Sequence, residues 1–119
     1  MAKLKSIFTN DFNTCFLSGA CSWVEDHHIF FGKNRKNSDK HGMIIPVDHY
    51  IHNESPYGIH HNEALNLQVK QFAQREFEKS HTREEFMLIF GENFLFTEED
   101  GHEINLRACG VPECYLTVV

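Results

Sequence analysis

The sequence predicts an α+β fold, and three observations predict it. Short runs rich in β-branched and aromatic residues, within Phe16–Phe31 and at Met43–Val47, read as strands. Apolar residues from Leu65 to Phe77 recur at helical spacing, and after Phe94 the period changes again to alternation. A chain of 119 residues can bury one core and is short for two. We therefore expect a main domain over residues 1–95 with a C-terminal β extension, residues 96–119, packed on it.

Taken in order, Phe16–Phe31 reads as extended pieces around a turn near Gly19, with Val24, Ile29, Phe30 and Phe31 beside the pair His27-His28. Gly32–Gly42 is polar and reads as a loop. Met43–Val47 suits a buried strand, with Pro46 pushing its end to an edge. Asp48–Asn62 has turn chemistry throughout. Asn62 is a good N-cap for a helix that buries Leu65, Val69, Phe72, Ala73 and Phe77 and turns Lys70, Gln74, Arg75 and Glu78 outward. Thr82-Arg83-Glu84-Glu85 spells a capping box for a second helix that carries Phe86, Ile89 and Phe90 inward and stops at Gly91. Asp100-Gly101 between alternating segments predicts a β-hairpin, and Glu113–Val119 a further strand.

A formal net charge of −6 argues against extended nonspecific wrapping of nucleic acid, which clustered cations drive. The charge is unevenly spread, however. Lys33, Arg35, Lys36 and Lys40 follow the first strand, while Glu98, Glu99, Asp100 and Glu103 crowd the tail. No apolar run reaches the roughly 18 residues of a membrane span, and the first residues lack a signal-peptide core. The chain reads as a soluble intracellular protein with no membrane partner. Cys15, Cys21, Cys109 and Cys114 then read as free thiols or metal ligands rather than disulfides. A structural zinc joining all four is one arrangement, although neither pair has the C-x2-C spacing of a zinc knuckle.

Nine histidines are many for this length, and His27, His28, His49, His52, His60 and His61 crowd one segment. Imidazole ligates Zn2+, Ni2+ or Mn2+ and can also accept a proton near pH 7. Neighbouring strand residues point to opposite faces, so His27 and His28 can share a site only at a bend, one as ligand and the other as base. His52 and His60 are the natural further ligands. His41, His81 and His102 read as surface residues.

The run EDHHIFFGKNRKNSDKHGMIIPV, followed by YIHNESPYGIHHNEALNLQVKQFAQREFEKSHTREEFMLIFGENFL, resembles small phage and prophage proteins of the HNH nuclease superfamily, with a ββα-metal core. The similarity covers about residues 15–95. It implies a ββα-metal core followed by two helices, and a metal-dependent endonuclease that hydrolyses phosphodiester bonds of nucleic acid, DNA foremost, in the cytoplasm of a bacterial host. His27 then matches a ligand of one divalent ion (Mg2+, Mn2+, Ni2+ or Zn2+), His28 the general base, and His52 a second ligand. His60 matches a further ligand or a phosphate contact. Asn53 or Asn62 would orient the base or a ligand, and Lys33, Arg35 and Lys36 would meet phosphates.

Many relatives of that kind also carry four structural-zinc ligands. Here Cys15 matches the first, but Ser18, Asp48 and Ile51 stand at the others, which implies a zinc site lost or rebuilt with Cys21, Cys109 and Cys114. The alternative function is a catalytically weak or inactive HNH-fold phage protein that binds or inhibits a host protein. A homodimer is a further expected partnership.

Overall fold

The computed structural model describes residues 5–54 and 56–116. Its fold is α+β. Strand β1 (Val24–His28) pairs antiparallel with β2 (Ile44–Asp48), in the register Glu25↔Val47, Asp26↔Pro46, His27↔Ile45 and His28↔Ile44. In a sheet of two strands both are edges, so Pro46, which has no N–H to give, interrupts nothing further out. Met43, Ile44, Ile45 and Val47 are all buried. Their side chains, with Ile29, Ile51, Leu65, Val69, Ala73, Phe77, Phe86 and Phe90, make the core.

The segment expected to be a polar loop is instead a 3-10 turn, Gly32–Asn34, running into helix α1, Arg35–His41. Its one buried residue is Ser38, so no apolar period announces the helix. Local chemistry holds it. Gly42 ends it at φ 70° with its N–H on the Ser38 carbonyl, and Lys40 and His41 lie where the helix dipole favours cations. The Ser38 hydroxyl donates to the Phe30 carbonyl at 2.6 Å and accepts from the Phe30 N–H at 3.0 Å, which pins α1 to the end of β1.

Four-residue helix α2 (His49–His52) follows β2 directly, capped by the Asp48 carboxylate, which accepts from the Tyr50 N–H. Helix α3 (Glu63–Glu78) begins at Asn62, whose side chain accepts from the Leu65 N–H. Helix α4 (Arg83–Phe90) begins with the expected Thr82/Glu85 capping box and ends at Gly91, φ 91°. Asn34 and Asn37 of the α1 region donate to the Phe90 and Ile89 carbonyls, satisfying part of the last turn of α4.

Past Phe94 the expected hairpin is not formed: no strand follows β2 among the described residues, and Glu113–Tyr115 is a 3-10 turn. Residues 117–119 of the expected last strand lie outside the described residues. Asp100-Gly101 does make a turn, with the Asp100 carboxylate accepting from the Phe96 and Thr97 N–H groups. What the alternating pattern could not reveal is a competitor for the flanking backbone. The Arg75 guanidinium donates to the carbonyls of Thr97, Glu98 and Asp100, Gln71 donates to that of Phe94, and Gln74 and Gln68 accept from the N–H groups of Phe94 and Asn105. Side chains of α3 therefore take the hydrogen bonds a hairpin would use. For the same reason Gln74, expected outside, is fully buried. Gly101 packs so closely on α3 that a Cβ there would lie 2.5 Å from the Gln71 carbonyl oxygen.

No helix among the described residues is long and apolar enough to cross a membrane. Ser38→Ala would leave a buried donor and acceptor of Phe30 unpaired. We expect it to lower unfolding free energy by about 1–3 kcal/mol, read from urea denaturation curves with an unchanged slope.

Candidate metal centre

Three imidazoles from three elements converge. His27 comes from β1, His52 from the last position of α2, and His60 from the 3-10 turn Ile59–His61 that leads into α3. His27 Nδ1 lies 3.2 Å from His52 Nε2, and His60 Nε2 lies 3.0 Å from the same atom. His27 and His52 are buried and His60 is exposed, so the cluster opens to solvent on one side. Gly58 sets the approach of the third ring. A Cβ there would meet the Glu54 backbone at 2.8 Å, so only glycine lets the chain fold back tightly enough to present His60.

As hydrogen bonds, these contacts put two N–H donors on one acceptor nitrogen. His52 Nδ1 lies 2.9 Å from Glu25 Oε1, and a carboxylate only accepts, so the proton of the neutral His52 ring is on Nδ1. Nε2 is then a bare lone pair with two imidazole nitrogens turned toward it. A tetrahedral ion with metal–nitrogen bonds of about 2.0–2.1 Å would set its ligands about 3.3 Å apart, close to the spacing here. His27 Nε2 is buried without any partner, so a ring ligating through Nδ1 would lack the second-nitrogen acceptor that metal-bound imidazoles usually have. The three histidines can hold a metal ion.

The electrostatics favour neutral, ligand-ready rings. Burial pushes the His27 imidazole down to about 2, reinforced by the neighbouring His52 and His60 rings. His60 is lowered as well, first by burial and then by His52 and His61. Behind the ligands sits Glu25, on the same face of β1 as His27 because the two are separated by two positions. Its Oε1 takes His52 Nδ1–H and, at 2.8 Å, an Asn53 N–H, while Oε2 takes His49 Nδ1–H at 3.1 Å. Burial acts to raise this carboxyl, but the donors from His52, His49 and Asn53 outweigh it and hold it below its ordinary value. His49 is correspondingly raised, chiefly by its hydrogen bond to Glu25, against burial and with help from Glu54 on its other nitrogen at 3.1 Å. The indole of Trp23 stacks flat on His49, centroids 3.7 Å apart.

The other sequence-predicted residues fall elsewhere. His28 occupies the adjacent ladder position, where strand alternation turns it to the opposite face from His27, and its Nε2 lies 2.7 Å from Asp39 Oδ1 on α1. Asn53 backs Glu25, whereas Asn62 is engaged with the Leu65 N–H and the Tyr57 and Cys109 carbonyls, a structural role. Lys33, Arg35 and Lys36 are exposed, on the 3-10 turn and the first turn of α1 rather than on a loop. The four cysteines weighed as one zinc arrangement are apart in role. All four thiols are free, Cys15 and Cys109 in the core, Cys21 and Cys114 exposed, and among the described residues they do not gather into a metal-binding group. Glu25 and His49 were missed by sequence reasoning, although the i, i+2 relation of Glu25 to His27 was there to be read. Comparison with protein-family models, with curated proteins and with solved structures finds no match.

His52→Ala should abolish high-affinity Zn2+ uptake, and Glu25→Gln, which keeps the volume and loses the charge, should weaken it about 10- to 100-fold in chelator competition. Acid should also unfold the chelator-treated protein. His27 in the unfolded chain titrates near 6.5, so its contribution is present above that pH and lost as pH falls toward 2, by up to about 1.4 kcal/mol per pH unit. His60 has the same sign. His49, being raised, contributes fully below its unfolded value and loses that contribution only as pH rises, so it does not offset the acid slope. His27→Gln should flatten the fall in stability between pH 6.5 and pH 4, measured by denaturant titration at each pH.

Proposed function

We propose that this protein is a metal-dependent endonuclease with a ββα-metal site, hydrolysing phosphodiester bonds of nucleic acid, DNA foremost. The observation that carries this reading is the convergence of three imidazoles on an antiparallel hairpin and the turn before α3, His27 Nδ1 and His60 Nε2 lying 3.2 and 3.0 Å from His52 Nε2 and all three ligand atoms within 4.8 Å of one another, with Glu25 fixing His52 from behind. Three nitrogen ligands suit Zn2+ or Ni2+ better than Mn2+ or Mg2+, which favour oxygen. A divalent ion held there supplies Lewis-acid stabilisation of charge on the phosphate and the leaving 3′ oxygen.

The chain's own residues would do the rest. His28 is the last residue of β1, so a water can reach its ring only around the strand end; Asp39 accepts from its Nε2, which in the neutral ring leaves Nδ1 as a lone pair, the form a general base needs. Glu25 and Asn53 hold His52 in its ligating tautomer. Lys33, Arg35 and Lys36, exposed beyond β1, meet flanking phosphates and place the strand without reading its sequence.

The test is nicking of supercoiled plasmid, and cleavage of single-stranded DNA and RNA, with Zn2+, Ni2+, Mn2+ and Mg2+ in turn. Wild type should cut and His52→Ala should not, while His28→Ala should lose about 10²- to 10⁴-fold in rate. Failure of every metal on every substrate sinks the nuclease reading and leaves a binding protein on this fold. Full activity in His28→Ala removes the base assignment alone.

A further inference from the structure

Besides Arg75, helix α3 carries a cation that the sequence placed outside and the fold draws in. Lys70 is half-buried, with its Nζ 5.0 Å from the centre of the Phe31 ring and 5.3 Å from that of Phe94. It makes no ion pair among the described residues. The same Phe31 ring packs against the metal-site histidines, its centroid 5.4 Å from His60 and 6.2 Å from His27. Ammonium, phenyl ring and imidazole cluster are thus neighbours, and the Lys70 charge is among those that disfavour protonation of His27.

We propose that Lys70 is an anion-binding residue of this site, its ammonium taking a phosphate oxygen of the ligand that the histidine cluster holds. Ring faces attract a cation but do not neutralise it, and the ammonium is already partly stripped of water, which lowers the Lys70 pKa from its ordinary value against the pull of Glu92. Such a group gains more from an incoming anion than a solvated lysine does, because less water must be displaced and the effective dielectric is lower. Its stem, confined between Phe31 and Phe94, also has less rotamer freedom to lose than the exposed Lys33 or Lys36. Those residues serve the flanking backbone, and Lys70 serves the phosphate at the centre. The inference rests on the phosphodiesterase reading of the site.

The experiment measures binding of inorganic phosphate to the Zn2+-loaded full chain by calorimetry, beside plasmid nicking and chelator competition for Zn2+. Lys70→Met keeps the apolar stem between the rings and deletes the charge, Lys70→Gln deletes it with a polar end, and Lys70→Arg restores it. Both neutral variants should raise the Kd for phosphate about tenfold or more, Lys70→Arg should recover most of the loss, and Zn2+ affinity should stay at the wild-type value. Wild-type phosphate affinity in either folded neutral variant overturns the proposal, as does a Zn2+-loaded wild type that binds no phosphate. Nicking that persists with Lys70-independent phosphate binding removes this inference and leaves the nuclease reading. Lys70-dependent phosphate binding without cleavage of any substrate does the reverse.

Discussion

Donors from His49, His52 and Asn53, all in or just after α2, meet on the Glu25 carboxylate of β1, and that single ion fixes how the hairpin and the next helix sit. Half-buried carboxylates are costly unless several hydrogen bonds offset their desolvation. Glu25 has three such bonds, and each also performs a second task. One sets the tautomer of His52, another holds His49 under Trp23, and the third ties down Asn53 where α2 ends. His27 needs no such carboxylate, because burial, reinforced by the neighbouring imidazoles and Lys70, keeps its ring neutral. The two ligands are therefore prepared by opposite means: one by packing, the other by a charged partner.

Farther out, the fold relies on polar side chains where apolar pattern runs out. Ser38 fastens α1 to the end of β1, Asn34 and Asn37 close the last turn of α4, and Gln71, Gln74 and Arg75 bind the backbone of the segment after Phe94. None of these contacts changes the hydrophobic outline of the molecule. They decide instead which of several compact arrangements of short elements is the stable one, since each places a backbone group that would otherwise be buried unpaired.

How much could be read from the sequence follows from this division. The apolar periodicity and capping signals of α3 and α4 are local, and they placed Asn62, Thr82, Glu85 and Gly91 in their observed roles. That His52 and His60 join one ring of the His27-His28 pair was legible from residue chemistry and spacing, while the choice of His27 came from the family resemblance. Helix α1 was not, because with Ser38 as its one buried residue it has no apolar stripe to betray it. The tail hairpin was misread because Asp100-Gly101 fixes a turn but says nothing about whether strands or α3 side chains take the flanking hydrogen bonds. Lys70 and Gln74 were placed outside by the helical wheel, which knows the direction of a residue on its helix but not what later chain covers that face.

Trp23 is the sole tryptophan of the chain and stacks on His49 with the two planes only 3° apart. His49 shares the Glu25 carboxylate with His52, so the indole stands two hydrogen-bonded partners away from a ligand nitrogen. The molecule thereby contains its own optical gauge. Emission excited at the red edge of the protein spectrum arises from one ring whose stacked imidazole shares a carboxylate with His52, so an ion bound by His52 would be expected to alter it.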